Sequence, residues 1–105
     1  MSAEPEFEVF SPQPARPRAR RKSLAPRLDT LDGKTVAEVW DYQYRGDEIF
    51  GWLEEELRQR FPAVRFVHWS EFGSTHSRNE REVVAGLAAR FRELRVDAAI
   101  SGIGA

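Results

Sequence analysis

The sequence predicts an α/β fold, a three-stranded parallel sheet in β-α-β-α-β order. Three observations predict it. Three short runs are rich in apolar and β-branched residues: Thr35 to Trp40, Val64 to Trp69 and Val96 to Ile100. Between them lie two segments whose apolar residues recur at helical spacing. The connections are short, and right-handed crossovers make strands joined through helices parallel.

The elements follow in order. Residues 1–30 read as a disordered or extended leader, with five of the six prolines in residues 1–26 and no sustained periodicity. Phe7, Val9 and Phe10 can dock on the domain as a short arm. The basic run Arg16 to Lys22 reads as a solvated linker, with a weak phosphate- or RNA-binding arm as the alternative. The domain itself spans residues 31–105. Leu31-Asp32-Gly33-Lys34 is turn chemistry ahead of the first strand. After that strand, Asp47 is placed to cap a helix. Ile49, Phe50, Leu53, Leu57 and Phe61 form its apolar stripe, widened by Trp52. Glu54, Glu55, Glu56, Arg58 and Arg60 fall mostly on the wet face, and Pro62 ends the helix. Val64 to Trp69 is the second strand. Ser77-Arg78-Asn79-Glu80 matches a capping box. Val83, Val84, Leu87, Ala88, Phe91 and Leu94 line the helix behind it. Val96 to Ile100 is the third strand.

Two strand orders satisfy this pattern. Order 2-1-3 makes the first strand central with a helix on each face, as in half of a flavodoxin- or Rossmann-like unit. Order 1-2-3 puts both helices on one face. Arg65 and His68 suit an edge strand, which favours 2-1-3. Three strands make a thin core, and the third would expose a long apolar edge, open to pairing with a second copy.

Composition narrows the function. The chain has 105 residues and a net charge of -1, with no overall nucleic-acid footprint, so nucleic acid is not expected as a partner. Charge is uneven: six basic against four acidic residues in 1–30, ten against thirteen in 31–105. There is no cysteine, which excludes disulfides, thiolate metal sites and thiol nucleophiles within these residues. The amino terminus lacks the apolar region of a secretory signal, and no apolar run approaches the ~20 residues of a membrane span. A cytoplasmic location is expected.

A parallel sheet gathers the carboxyl ends of its strands, where ligands of open α/β sheets bind. Three loops meet there: Asp41 to Asp47, Ser70 to Ser77 and Ser101 to Ala105. The candidate ligand-binding residues are Asp41, Arg45, His76, Ser101, Gly102 and Gly104, with Tyr42 and Tyr44 beside them. His76 is a candidate auxiliary acid or base, because imidazole titrates near neutrality. Arg45 can hold a carboxylate or phosphate by a bidentate contact. Gly102 and Gly104 permit backbone that aims amides at an anion. His68 beside Trp69 reads as structural, and Glu54 to Glu56 as a solvated helix face. Gly-Ile-Gly is not a full dinucleotide fingerprint and follows the third strand rather than the first. No Ser/His/Asp triad, metal-ligand spacing or phosphate loop can be drawn, so neither a metal nor a cofactor is expected.

The stretch Leu24-Ala25-Pro26-Arg27-Leu28-Asp29-Thr30-Leu31-Asp32-Gly33-Lys34-Thr35, the helix-strand pattern after it and the closing Ala98-Ala99-Ile100-Ser101-Gly102-Ile103-Gly104-Ala105 resemble the UGSC family of bacterial (seleno)proteins. In that family the third-strand loop leads into selenocysteine-Gly-Ser-Cys or Cys-Gly-Ser-Cys. The resemblance implies a thiol or selenol redox protein whose reacting pair lies just beyond Ala105. It also implies that this chain is the front part, cut at a recoded UGA codon and redox-inactive as given. A C-x-x-C-type pair at a strand-to-helix junction has its first member acidified by the helix amino terminus, which suits thiol-disulfide or peroxide chemistry. A thiol or small-molecule substrate is implied, with its identity open. The alternative reading is a small module binding an anionic ligand at the Gly102/Gly104 loop.

Overall fold

The computed structural model describes residues 21–104 together with Pro12. Strand β1 (Thr35–Trp40) is the centre of the sheet, and all six of its residues are buried. Strand β2 (Arg65–Val67) and strand β3 (Ala98–Gly102) flank it in the order β2-β1-β3. Both pairings are parallel, with Val36 opposite Phe66 and Ala98, and Glu38 opposite Ile100. The predicted 2-1-3 order is the observed one. Covering both faces explains why β1 is apolar on both sides apart from Thr35 and Glu38.

Helix α1 (Gly46–Arg60) and helix α2 (Glu80–Glu93) connect the strands. Side chains of β1 alternate between them. Ala37 and Val39 form a core with Phe72, closed by Leu87 and Phe91 of α2 and by Val67, Leu94 and Val96. The Phe72 and Phe91 rings meet edge to face at 5.3 Å. Val36, Glu38 and Trp40 face the other way, with Phe50 of α1 2% exposed among them. Gly46 begins α1 where a Cβ would stand only 2.5 Å from Trp40 Nε1, so glycine lets the helix start close against the indole.

Polar contacts lock the amino ends of the strands. Gly33 takes φ +75° in the Asp32-Gly33 turn, and the Lys34 amide donates to the Leu31 carbonyl at 3.0 Å. The Asp32 carboxylate accepts from the Ala63 amide at 2.7 Å. The Arg65 guanidinium donates to the Gly33 carbonyl and to Thr35 Oγ1. On the far side, the Asp97 carboxylate accepts from the Thr35 amide at 2.9 Å. The turn thereby ties β2, and Thr35 ties the start of β3, to the beginning of β1.

Several local expectations are corrected. Asp47 does not cap α1. It lies inside the first turn, where its charge suits the helix dipole, and Arg45 holds the cap position. The capping box does not form: Ser77 Oγ donates to Asn79 Oδ1, and no side chain caps α2. The second strand is three residues long, because the chain turns into a 3₁₀ helix, η1 (Trp69–Glu71). The third strand is shifted by two residues, so Ser101 and Gly102 lie within it rather than in the loop. Trp52 is 62% and Val84 54% exposed, since each helix covers the three-stranded sheet with only part of its stripe. Glu54 is half-buried rather than solvated. Residues 21–30 are exposed and without regular structure. Phe7, Val9, Phe10 and most of the basic run lie outside the described residues.

Candidate functional site

Asp41 follows the last residue of β1 and is 5% exposed. Its Oδ1 accepts from the Gln43 amide at 3.0 Å, and its Oδ2 accepts from the Gly104 amide at 2.8 Å. Its own amide donates to the Gly102 carbonyl at 3.3 Å. Its carbonyl accepts from Ser74 Oγ at 3.1 Å. A bridge between Trp40 and Ser74, with the Thr75 amide donating to the Trp40 carbonyl, completes the tie to the second loop. One residue therefore holds all three loops at the carboxyl edge of the sheet. Backbone amides stand in for a counter-ion to this carboxylate.

Beside Asp41 opens a cleft of about 390 Å³ on the α2 side. Asp41, Thr75, His76 and Ser101 form its polar wall, while Val39, Leu87 and Ile103 contribute apolar surface. His76 is largely exposed, with Nδ1 3.7 Å from Glu80 Oε2. Three of the residues picked from sequence, Asp41, His76 and Ser101, thus meet in one cleft.

Arg45 and Gly102 do not join them, and Gly104 takes part only through its amide bond to Asp41. Arg45 points to solvent and reaches Glu48 at 3.6 Å. Gly102 lies in β3 with its α-carbon turned to the opposite face, directly beneath the Tyr44 hydroxyl. A Cβ on Gly104 would stand 3.0 Å from the Tyr44 ring and 3.1 Å from Gln43 Cβ. The Gly104 amide already serves Asp41, which removes one donor from any anion site at this loop. Burial, and then the negative charge of Asp41, raise the Tyr44 phenol above its ordinary value. Tyr44 belongs to an aromatic group with Trp40, Tyr42 and Trp69, whose rings pack at centroid distances of 4.4 to 6.1 Å. His68 stacks on Trp69 and accepts from the Ser70 amide through Nδ1, capping η1.

Glu38 escapes a reading of sequence alone. Its carboxyl is 1% exposed, and Oε1 has no hydrogen-bond partner. A single acidic residue in a strand looks like the wet side of an alternating pattern. Here both sides are covered. Burial and the nearby Glu54 charge push its pKa up to about 7, against the pull of the Trp69 backbone and Arg58. Ser74 was equally invisible, because its importance lies in reaching Asp41 across the fold. Among the described residues, no three His, Asp or Glu side chains form a metal-binding group. No helix among them is long and apolar enough to cross a membrane.

A family model of the UGSC family matches residues 8–105, which includes all three strands and the whole carboxyl edge. The chain belongs to the UGSC family. The match begins well before Leu24 and so takes in the Pro/Arg-rich stretch. No curated protein and no solved structure matches this UGSC chain. The matched stretch contains the carboxyl edge at which Asp41 binds the loops of this chain together.

Proposed function

We propose that this chain is the amino-terminal scaffold of a UGSC-type thiol or selenol redox protein, with the reacting atoms carried by residues that follow Ala105 in the full-length protein. The observation that carries the reading is family membership combined with the position of the β3 loop. That loop lies at the carboxyl edge, pinned by Asp41, where α/β sheets gather reactive groups. The chain contains no sulfur nucleophile, so on this reading it has no redox activity by itself. A full-length parent would act as an oxidoreductase on a thiol or small-molecule substrate in the cytoplasm, where thiols are kept reduced.

The test is the DNA after the Ala105 codon. The reading expects an in-frame TGA followed by codons for Gly-Ser-Cys and a further α/β pattern. The longer protein, expressed with selenocysteine or cysteine at that codon, should show thiol-dependent reductase activity. A different stop codon with no continuing frame would overturn the proposal.

The cleft favours a second reading, a small-ligand module in which His76 and Ser101 contact the ligand and Asp41 accepts a hydrogen bond from it. Calorimetric titration with phosphate-bearing and carboxylate compounds, alongside neutral polyols, tests it. With the Asp41 carboxylate on the wall and the Gly104 amide engaged, neutral donors should bind better than anions. No heat from any of them would dismiss this reading. The outer edge of β3 supplies a surface for self-association, since β1 pairs only with its inner edge.

A further inference from the structure

We propose that Glu38 is a proton-controlled strut: its neutral carboxyl lets α1 and η1 pack on the sheet, and its ionisation loosens that face. The inference is independent of the redox reading and rests on placement. Glu38 sits mid-strand on the central strand, on the face that carries Val36 and Trp40. Ile100 lies opposite it in β3, and Phe66 lies opposite Val36 in β2; neither brings a charge. From α1 it meets Glu54 and Arg58, and from η1 the backbone of Trp69.

Arg58 does not neutralise it. The Arg58 guanidinium lies 3.5 Å from Glu54 Oε1 and 5.2 Å from the centre of the Phe66 ring. Glu38 Oε1 is unpartnered, and so are the buried indole nitrogens of Trp40 and Trp69 on the same face. A buried carboxylate supported only by the Trp69 backbone, with one oxygen unpartnered, is costlier than the neutral acid. The fold therefore selects the protonated form, in line with the upward shift of this group.

Packed rings and backbone bonds connect this position to the loops of the carboxyl edge. Trp69 opens η1, and its ring meets Trp40 at 4.8 Å. Trp40 in turn carries the bridge to Ser74 and the bond from the Thr75 amide, beside the cleft wall. Ionising Glu38 places a negative charge against Glu54 and beneath Trp69. It favours water entry, and η1 is the smallest element in its way.

The experiment follows the carboxyl carbon of Glu38 by NMR across about pH 5 to 9, with tryptophan fluorescence and amide exchange at Trp69–Glu71 recorded in parallel. The wild-type carboxyl should titrate near neutrality, and exchange at η1 should accelerate with the same midpoint. Glu38→Gln should show the low-pH fluorescence throughout and lose the transition. Imidazoles change charge in the same range, so His68→Asn and His76→Asn are run beside it and should retain the transition. A Glu38 carboxyl titrating in the ordinary carboxylate range overturns the proposal, even if Glu38→Gln fails to fold. So does a transition that survives Glu38→Gln or disappears in a histidine variant.

Discussion

The Gly104 amide donates to Asp41 Oδ2 at 2.8 Å, joining residues sixty-three positions apart. The same carboxylate holds the Gln43 amide, so one side chain closes the β1 loop on itself and on the β3 loop. Asp41→Ala should leave both amides short of a partner. We expect a loss of about 1–3 kcal/mol in urea unfolding, with faster hydrogen exchange at Gly104 and Gln43. Asp41→Asn keeps one carbonyl oxygen and should lose less. Unchanged exchange at Gly104 in the alanine variant would count against the clasp.

Gly102 leaves no room for a side chain beneath Tyr44. Gly102→Ala should destabilise the domain by about 1–3 kcal/mol through overpacking. Tyr44→Phe removes the hydroxyl that a new methyl would strike and should recover part of the loss. A double-mutant cycle by equilibrium unfolding measures that coupling. Additive effects would show that the two positions do not press on one another.

The raised pKa of Glu38 has a direction in stability. The folded carboxyl titrates at about 7 and the ordinary value is 4.5. Between these the folded state holds more protons than the unfolded one, so stability falls as pH rises through this window. Glu38 contributes fully below about pH 4.5 and levels off above about pH 7, with a limiting slope of about 1.4 kcal/mol per pH unit for one proton. Denaturation midpoints measured against pH should show this decline in the wild type. Glu38→Gln should flatten it.

Phe50 is the deepest aromatic side chain of α1. Phe50→Ala should cost about 3–5 kcal/mol, a large share of the stability open to so small a sheet. Trp52→Ala, two residues on and mostly exposed, should cost far less. Chemical denaturation of both variants makes the comparison.

The outer edge of β3, which no described strand covers, should make the chain self-associate at high concentration. Ala99 is exposed on this strand, and Ala99→Lys should weaken association by placing a charge on the edge. Sedimentation velocity over a concentration series reads the outcome.

Fold class and element order were legible in the amino-acid sequence through local periodicity and the handedness of crossovers, and the sheet order through the edge character of Arg65 and His68. The turn at Asp32-Gly33 was legible from its residue chemistry, and the gathering of Asp41, His76 and Ser101 at one edge from the parallel arrangement of the strands. Element ends were not legible. Ser77-Arg78-Asn79-Glu80 carries the letters of a capping box, yet Ser77 bonds to Asn79 and Glu80 approaches His76 instead. The tertiary structure alone decided which residues matter within the edge. It engaged the Gly104 amide with Asp41, set Gly102 under Tyr44 on the opposite face, turned Arg45 to solvent and buried Glu38. Each outcome depends on groups distant in the chain coming within hydrogen-bonding or van der Waals range, and periodicity records a residue's face but not its partner.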